Sequence, residues 1–295
     1  MKKLQLALFK TDILRTVEPF KRQLLKWVGN KQRFADEIIS YFPVKINKYF
    51  EPFLGSGAVL GTFAYENSIG SDIFTPLIDI WVTLRNDPET LKKWYEDRWN
   101  YFFNNGQKEA YEHIKKSYND NPNGPDLLFL SRSCYGGVVR FRNLDGYMST
   151  PCGVHSPISP ESFSRRVDEW HKRTSGTNFL NLNYTDCMEM AEEGDLIYCD
   201  PPYLHSQPIL YGGQKFSFIK LLEIIDKCKS RGVYVALSID GTKKSGKSKC
   251  EVPIPDGLFE REVFVNCGRS MLKRFQMEGK TLENEIVSDR LLLTY

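Results

Sequence analysis

A strand, a glycine turn, a helix and a second strand follow one another within residues 49–73, and this order constrains the fold more than any other feature. Residues 49–53 are mostly aromatic or apolar and run into a turn with two closely spaced glycines. A helix over residues 58–65 and a short strand over residues 68–73 complete the unit. Two strands joined through a helix are typical of a parallel sheet. The sequence therefore predicts an α/β fold.

Strand-like segments resume only after a long stretch of different composition. Residues 87–177 are rich in Asn, Tyr, Trp and charged side chains, with helical patterns and a glycine-punctuated middle. The later strand-like runs lie at residues 179–182, 195–199, 233–239, 261–265 and 290–295. We therefore predict a catalytic domain made of residues 1–86 and 178–295, with residues 87–177 inserted into it.

The glycine turn is suited to a small adenosine-type cofactor. Gly55 and Gly57 permit positive φ and let the backbone approach a ligand closely. The turn is not a Walker loop, and it lacks the third glycine of the dinucleotide fingerprint. Asp72 ends the second strand, where an acid would accept ribose hydroxyls. A tight turn for the glycines and a helix cap for Asp72 remain alternatives.

The tetrapeptide Asp200-Pro201-Pro202-Tyr203 follows the apolar run of residues 195–199. Proline has a fixed φ and no N–H, so the carbonyl beside it is held rigidly and can accept a hydrogen bond. A carboxylate and such a carbonyl can grip both hydrogens of an exocyclic amino group, while a tyrosine ring offers a stacking face. The tetrapeptide predicts chemistry on an amine attached to an aromatic base. A strand that ends in a rigid surface turn is the alternative.

Composition argues against several classes of protein. Hydrophobic residues make up 41% and charged residues 26% of the chain, as in globular proteins, and the net charge is +3. Any anionic partner must therefore be met by local basic patches. The seven cysteines form no C-x-x-C pair, which disfavours a zinc site and a disulfide framework, and the four histidines lack ligand spacing. We expect no metal, no signal peptide, no membrane span and a cytoplasmic location.

Four ordered blocks of the chain resemble the DNA adenine N6-methyltransferases of the Dam type, in the alpha-group (D12 class) arrangement. The blocks are Lys-Trp-Val-Gly-Asn-Lys at residues 26–31, Phe-Leu-Gly-Ser-Gly at residues 53–57, Ser-Asp-Ile at residues 71–73 and the tetrapeptide at residues 200–203. The resemblance implies a Rossmann-like methyltransferase sheet with an inserted, mainly helical target-recognition lobe that carries a hairpin. It also implies methyl transfer from S-adenosyl-L-methionine to adenine N6 in double-stranded DNA, with base flipping. Asn30 departs from the family pattern, in which glycine is usual.

The resemblance assigns roles to particular residues. The catalytic residues implied are Asp200, Pro201, Pro202 and Tyr203. Cofactor binding is implied for Trp27, Lys31, Glu51, Phe53, Gly55, Ser56, Gly57, Asp72, Ile73, Asp186 and Asp200. For Asp186, which would lie near the adenine of the cofactor, a turn cap is the alternative.

Residues 135–142 resemble the base-contacting hairpin of the family, and Arg140 falls at the arginine that reads a guanine. Gly136 replaces the usual asparagine, which puts the contact with the orphan base in doubt. DNA contacts are expected for Lys26, Tyr135, Arg140, Arg142, Lys243, Lys244 and Lys247. Arg132 joins the two hairpin arginines in a basic cluster that is expected to face phosphate, as is the lysine loop. A solvated turn is the alternative for the lysine loop. Trp94, Trp99, Phe102 and Phe103 are predicted to form the core of the inserted domain.

Two other functions fit the same residues. An amino-methyltransferase could act on cytosine N4, RNA or a protein amide, but such enzymes more often carry Ser or Asn where Asp200 stands. A catalytically silent DNA-binding relative is the second alternative, and the intact glycine loop and tetrapeptide argue against it. A cognate restriction endonuclease is a conceivable partner, and no obligatory protein partner is evident.

Overall fold

The structure is a computed structural model that describes residues 15–142, 144–202, 216–240, 242–243, 248–249, 254–269 and 286–295. Its centre is a seven-stranded sheet. The strands are β1 (Tyr49–Glu51), β2 (Ser68–Ser71), β3 (Thr177–Leu180), β4 (Leu196–Cys199), β5 (Tyr234–Asp240), β8 (Arg261–Arg269) and β9 (Ile286–Leu293). A separate two-stranded hairpin pairs β6 (Thr242–Lys243) with β7 (Ser248–Lys249).

The strand order of the sheet is β3-β2-β1-β4-β5-β9-β8. Strands β1 to β5 are parallel, whereas β9 runs antiparallel to both of its neighbours, β5 and β8. The order reverses between β1 and β4, and open α/β sheets bind ligands outside the carboxyl ends of the strands at such a switch point. The predicted α/β, Rossmann-like sheet is confirmed.

Nine α-helices and one 3-10 turn are found in the described part of the chain. They are α1 (Ala35–Ser40), α2 (Ala58–Phe63), α3 (Thr75–Asn86), α4 (Pro88–Asn104), α5 (Gln107–Asp120), α6 (Gly124–Ser133), the 3-10 turn η1 (Tyr135–Gly137), α7 (Pro160–Arg173), α8 (Tyr184–Glu189) and α9 (Phe218–Ser230). None of these helices is both long and apolar enough to cross a bilayer.

Three helices of the segment 87–177 begin with a side-chain cap followed by proline. Asp87 accepts a hydrogen bond from the Thr90 N–H at the start of α4 (3.1 Å). Asn123 and Ser159 cap α6 and α7 in the same way. A capping side chain satisfies an N–H group that the helix leaves free, and proline at the first positions needs no donor. The local sequence therefore fixes where these helices start.

The sheet is buried on both faces. Within β4, Leu196 and Tyr198 belong to one apolar cluster, and Ile197 and Cys199 belong to the other. This split follows from the two-residue period of a strand. Helices α8 and α9 pack on one face, and α1 to α7 contribute to the core on the other.

The helices of the segment 87–177 share their core with the sheet. Phe102 is 2% exposed within that core, and Trp94, Trp99 and Phe103 pack against it while partly buried. Phe102 is thus a core residue, as predicted, and the other three pack against the core, which is shared with the sheet and is not confined to the segment 87–177. Because one apolar cluster spans both parts, the division into residues 1–86 and 178–295 against 87–177 stays a prediction.

Candidate active site

The glycine loop after β1 adopts the backbone conformation that its sequence permits. Gly55 has φ +47° and Gly57 has φ +60°, both in the left-handed region that disfavours other residues. The Gly57 N–H donates to the Leu54 carbonyl (2.7 Å), and the Trp81 indole N–H donates to the Gly55 carbonyl (3.2 Å). A Cβ on Gly57 would lie 3.0 Å from the Trp81 ring. The loop is therefore both turned and packed tightly against α3.

Asp72, directly after β2, braces this loop. Its carboxylate accepts hydrogen bonds from the Gly55 N–H (3.1 Å) and the Phe74 N–H (3.0 Å). Burial raises the pKa of Asp72, and the hydrogen bonds from these N–H groups partly offset that effect. One oxygen thus caps the turn at Phe74 and the other holds the loop, whereas the helix cap considered for Asp72 is not found, since the N-cap of α3 is Phe74. Ribose binding by Asp72 and cofactor binding by Ile73, which is 47% exposed, stay predictions.

A pocket lies beside the loop at the carboxyl ends of β1 and β4. Nine of its thirteen lining residues come from three of the four blocks that the sequence singled out. The thirteen are Trp27, Val28, Gly29, Lys31, Glu51, Phe53, Leu54, Gly55, Ser56, Ala58, Val59, Tyr198 and Asp200. The glycine loop and the acid of the tetrapeptide therefore share one pocket, at the point where the strand order reverses.

A buried lysine connects two carboxylates at this pocket. The Lys31 ammonium lies 2.9 Å from Asp200 Oδ1 and 3.6 Å from Asp289 Oδ2, and it donates to the Gly29 carbonyl (3.1 Å). The Lys31 side chain is 5% exposed and that of Asp200 is 18% exposed. A charge buried to this extent is stable only when it is paired and hydrogen-bonded. Lys31 therefore favours the ionised form of Asp200.

Glu51, at the end of β1, is a buried acid with an altered pKa. It is 3% exposed, and its Oε2 accepts a hydrogen bond from the Tyr49 hydroxyl (2.9 Å). Burial raises the pKa of Glu51 to about 8, and the negative charge of Asp200 adds to this rise. The hydrogen bond from Tyr49 and the positive charge of Lys31 act in the opposite direction. The pocket thus holds an acid that changes protonation near neutral pH.

Aromatic rings form one side of the site. Phe53 stacks on Tyr184 (centroids 5.1 Å apart) and meets Phe216 edge-on (5.8 Å). Asp186 lies close by in the first turn of α8, where its Oδ1 accepts from the Thr185 hydroxyl (3.1 Å). It is exposed and is not one of the pocket-lining residues, so its predicted contact with the cofactor stays a prediction.

Several predicted residues fall where no placement is described. Tyr203, Lys244 and Lys247 lie outside the described residues, as does the side chain of Lys243. The backbone of Lys243 pairs with Ser248 in the β6–β7 hairpin. Pro201 is buried and Pro202 is partly buried directly after Asp200.

An irregular hairpin follows η1. Its two sides are joined by the antiparallel bridges Cys134–Cys152 and Phe141–Met148. The Arg142 N–H also donates to the Tyr147 carbonyl (2.9 Å). The segment that resembles the base-contacting hairpin is therefore a paired structure, and its residues Val139, Phe141 and Met148 are buried in the core.

The two arginines of the hairpin differ in their surroundings. Arg140 is exposed and, among the described residues, its guanidinium has no ion-pair partner, while its backbone N–H donates to Thr150 Oγ1 (2.9 Å). Arg142 is exposed too, but it forms an ion pair with Asp145 (2.5 Å) and lies 4.3 Å from the Tyr147 ring centre. Arg140 is thus the hairpin cation that is available to a new partner.

Arg132 does not belong to this basic surface, and the expectation that it faces phosphate is wrong. It is 8% exposed in α6 and donates to the carbonyls of Leu24 (2.8 Å) and Gln23 (3.2 Å). Burial lowers the pKa of Arg132 to about 10. Its role is to fasten the segment that leads into Trp27.

Lys26 directly precedes the pocket segment (residues 27–31) and contacts the hairpin. Its side chain is exposed and packs against Gly137, where an added Cβ would lie 2.7 Å from Lys26 Cδ. Tyr135, at the start of η1, is 44% exposed. Lys26 contacts the 3-10 turn η1 and Tyr135 begins it. The DNA contacts predicted for both residues stay predictions.

Sequence reasoning missed Asp289, which joins the charged network at Lys31. The signal in the sequence was an acid close to the apolar run of residues 291–293. The described residues contain no group of three or more His, Cys, Asp and Glu side chains that could hold a metal ion.

The D12 class N6 adenine-specific DNA methyltransferase family model matches residues 27–252 of the chain. The chain is similar to the DNA N-6-adenine-methyltransferase of Escherichia phage P1 (26% identity over 246 residues, covering 77% of this chain and 31% of that protein). It thus spans about a third of the length of that relative.

Other relatives are matched over most of their length. The DNA adenine methylase of Serratia marcescens is 32% identical over 191 residues, which cover 62% of this chain and 67% of the relative. A type II methyltransferase of Lactococcus lactis subsp. cremoris is 25% identical over 234 residues (74% and 80%). Among solved structures, the rRNA methyltransferase aviRa from Streptomyces viridochromogenes aligns with a TM-score of 0.36 and 10% identity, over 96% of this chain and 89% of that one.

The family match covers most of the chain, including the pocket segment, the glycine loop and the tetrapeptide. The relatives matched over most of their own length include adenine methylases. The chain belongs to the D12 class of N6 adenine-specific DNA methyltransferases.

Proposed function

We propose that this chain transfers the methyl group of S-adenosyl-L-methionine to N6 of an adenine that is flipped out of double-stranded DNA. One observation carries the proposal: Asp200, directly after β4, lines the same pocket as Gly55 of the glycine loop. A methyl donor held at the loop would then lie next to the carboxylate that binds the amine. Positioning of the two reactants supplies much of the rate in such a reaction.

The residues of the pocket fit this cofactor chemically. S-adenosyl-L-methionine supplies a methyl group on a positively charged sulfur and also carries an ammonium group. The carboxylate of Asp200 lines the pocket and suits positive charge, and a cation bound beside Glu51 would favour the ionised form of that acid. Trp27 and Phe53 supply apolar surface in the same lining, and Ser56 supplies a hydroxyl.

Asp200 and the Pro201 carbonyl would hold the target amine. The lone pair of adenine N6 is delocalised into the ring, so the nitrogen is a poor nucleophile. Two acceptors on its hydrogens favour a more pyramidal nitrogen, whose lone pair points at the methyl group. Lys31, 2.9 Å from Asp200 Oδ1, keeps the carboxylate ionised and therefore able to accept.

The adenine must leave the duplex to reach Asp200. Unstacking and unpairing a base costs about a few kcal/mol. Tyr203, the last residue of the tetrapeptide, would offset part of this cost by stacking on the base. The paired hairpin, with Arg140 exposed on it, supports a recognition role for residues 87–177.

Arg140 would read a guanine through two hydrogen bonds in the major groove. Its exposed guanidinium supports this role, because a cation already paired would have to give up its partner first. A guanine directly 5′ of the methylated adenine is the sequence preference that we expect. Lys26 and Arg142 would contribute contacts to phosphate.

The relatives favour adenine over the other substrates. Several of them are adenine methylases. For cytosine N4, RNA or a protein amide as the substrate, the only support is that the pocket residues could also bind those groups. The type II methyltransferase among the relatives suggests a cognate restriction endonuclease as a partner.

Methyl transfer by the purified chain tests the proposal. Unmethylated duplex DNA is incubated with S-adenosyl-L-methionine labelled in the methyl group and then digested to nucleosides. We expect the label in N6-methyl-2′-deoxyadenosine, and none with the Asp200→Ala variant. Label in N4-methylcytosine, or transfer only to RNA or protein, would establish a rival enzyme. No label, together with no cofactor binding in calorimetry, would leave the silent DNA-binding relative.

A further inference from the structure

Asp289 is a buried acid of β9 that lies outside the four blocks of the family resemblance. It is 8% exposed, and Leu291, Leu292 and Leu293 in the same strand are buried. Burial of a carboxylate is costly unless a partner compensates for the lost water. The Lys31 ammonium, 3.6 Å from Asp289 Oδ2, is such a partner.

Lys31 interacts differently with its two carboxylates. The 2.9 Å separation from Asp200 Oδ1 is that of a strong, charge-assisted hydrogen bond. The 3.6 Å separation from Asp289 is too long for a hydrogen bond but leaves a strong attraction between opposite charges at a buried site. A lysine side chain is long and flexible, so a second carboxylate restricts where its ammonium can lie.

The backbone holds Asp289 rigidly. Strand β9 lies between β5 and β8, and Asp289 is paired with Asp240 on one side and Val265 on the other. A side chain on a central strand is placed more accurately than one on a loop. The next residue, Arg290, pairs with Glu262 of β8 (2.7 Å), so β9 carries two ion pairs side by side in the sequence.

We propose that Asp289 is a positioning residue of the methyl-transfer site, which holds the Lys31 ammonium in place so that Lys31 orients the Asp200 carboxylate. The inference rests on the proposed function, since it gives Asp289 a role only through Asp200. The antiparallel strand β9 then has a part in catalysis as well as in the sheet.

A thermal double-mutant cycle tests the contact without any ligand or activity. Melting temperatures are compared for the wild type, Asp289→Asn, Lys31→Met and the double variant. We expect the double variant to lose clearly less than the sum of the two single losses, because each substitution breaks the same ion pair. The matched control, Glu262→Gln, breaks the neighbouring ion pair between Arg290 and Glu262. Its loss of melting temperature should add to that of Lys31→Met in the double variant. Additive losses for Asp289→Asn and Lys31→Met would overturn the contact.

Kinetics test the positioning role. Asp289→Asn should lower kcat about tenfold, as expected for residues in direct contact, with KM for DNA unchanged and partial rescue by Asp289→Glu. In the Lys31→Met background, Asp289→Asn should cause no further loss of kcat. An unchanged kcat, or losses that multiply in the double variant, would overturn the inference while the wild type remains active. If the wild type transfers no methyl group, the proposed function fails and the role fails with it, whereas the ion pair is judged by the melting cycle alone.

Discussion

The pocket and the hairpin carry their charges in opposite ways. In the pocket, Lys31 is 5% exposed and lies between two carboxylates. In the hairpin, Arg140 is exposed and has no ion-pair partner among the described residues. A group that orients a reacting amine works best when it is already fixed, whereas a group that reads a base must be able to exchange water for that base. The difference supports the proposal that the pocket performs the chemistry and the hairpin reads DNA.

Removal of the Asp200 carboxylate tests the chemical side of this comparison and should have the largest effect. We expect Asp200→Ala to lower turnover about 10³-fold or more, because the target amine loses its charged acceptor. Binding of S-adenosyl-L-methionine should stay within about tenfold, since most of the pocket lining is unchanged. Single-turnover methylation and calorimetry measure the two quantities. The exposed acid Asp256 provides the control variant Asp256→Asn, and substantial activity in Asp200→Ala would refute the assignment.

The two hairpin arginines test the recognition side. Arg140→Ala should reduce discrimination at one base pair by about 1–3 kcal/mol, because a bidentate contact with guanine is lost. Arg142→Ala is the matched control: Arg142 is already paired with Asp145, so its loss should weaken binding slightly and equally on all sequences. Methylation rates on duplexes that differ at the base pair 5′ of the target adenine measure both. A uniform loss with Arg140→Ala would make it a phosphate contact.

The pH dependence of stability tests how strongly the pocket is buried. Glu51 has a usual pKa of 4.5 and a pKa of about 8 in the folded chain, so the folded state binds more protons between these values. The free energy of unfolding therefore falls as pH rises from 4.5 to 8, and this contribution is constant above pH 8. Between pH 6 and pH 8, the wild type should lose about 1–3 kcal/mol more than Glu51→Gln. Urea unfolding without ligand measures the difference, and equal slopes for the two proteins would contradict a raised pKa.

The packing of the two regions can be compared at two glycines that have similar φ angles. Gly57 in the loop has φ +60° and a Cβ position 3.0 Å from Trp81, whereas Gly146 in the hairpin has φ +68° and no atom within 4 Å of its Cβ position. Alanine costs about 1–2 kcal/mol at either site through the backbone alone. We expect Gly57→Ala to be the more destabilising in urea, because the Trp81 ring must also move. Equal losses would mean that the loop is no more tightly packed than the hairpin.

Local sequence was sufficient to predict much of the fold and the pocket. The strand after Lys48, the glycine loop and the apolar run before Asp200 are set by neighbouring residues, and each was found where it was expected. The pKa of Glu51 could not be read in the same way, since it depends on burial by the whole fold. The same limit applied to Arg132, where a cluster of arginines in the sequence gave no sign that one of them is buried.

Asp289 was missed for a different reason. Its contact with Lys31 exists because β9 enters the sheet between β5 and β8, antiparallel to both. No local pattern specifies the contact between Lys31 and Asp289, which lie more than two hundred positions apart in the sequence. The dual role of Asp72, which caps a turn and braces the glycine loop, depends in the same way on two strands that lie side by side.

Sequencing of modified bases in DNA from cells that express the chain tests the central claim most directly, with the Asp200→Ala variant as the matched sample. The proposed function predicts N6-methyladenine in one defined sequence motif with the wild type, and none in that motif with the variant. N4-methylcytosine in place of N6-methyladenine, or undiminished adenine methylation with Asp200→Ala, would contradict it.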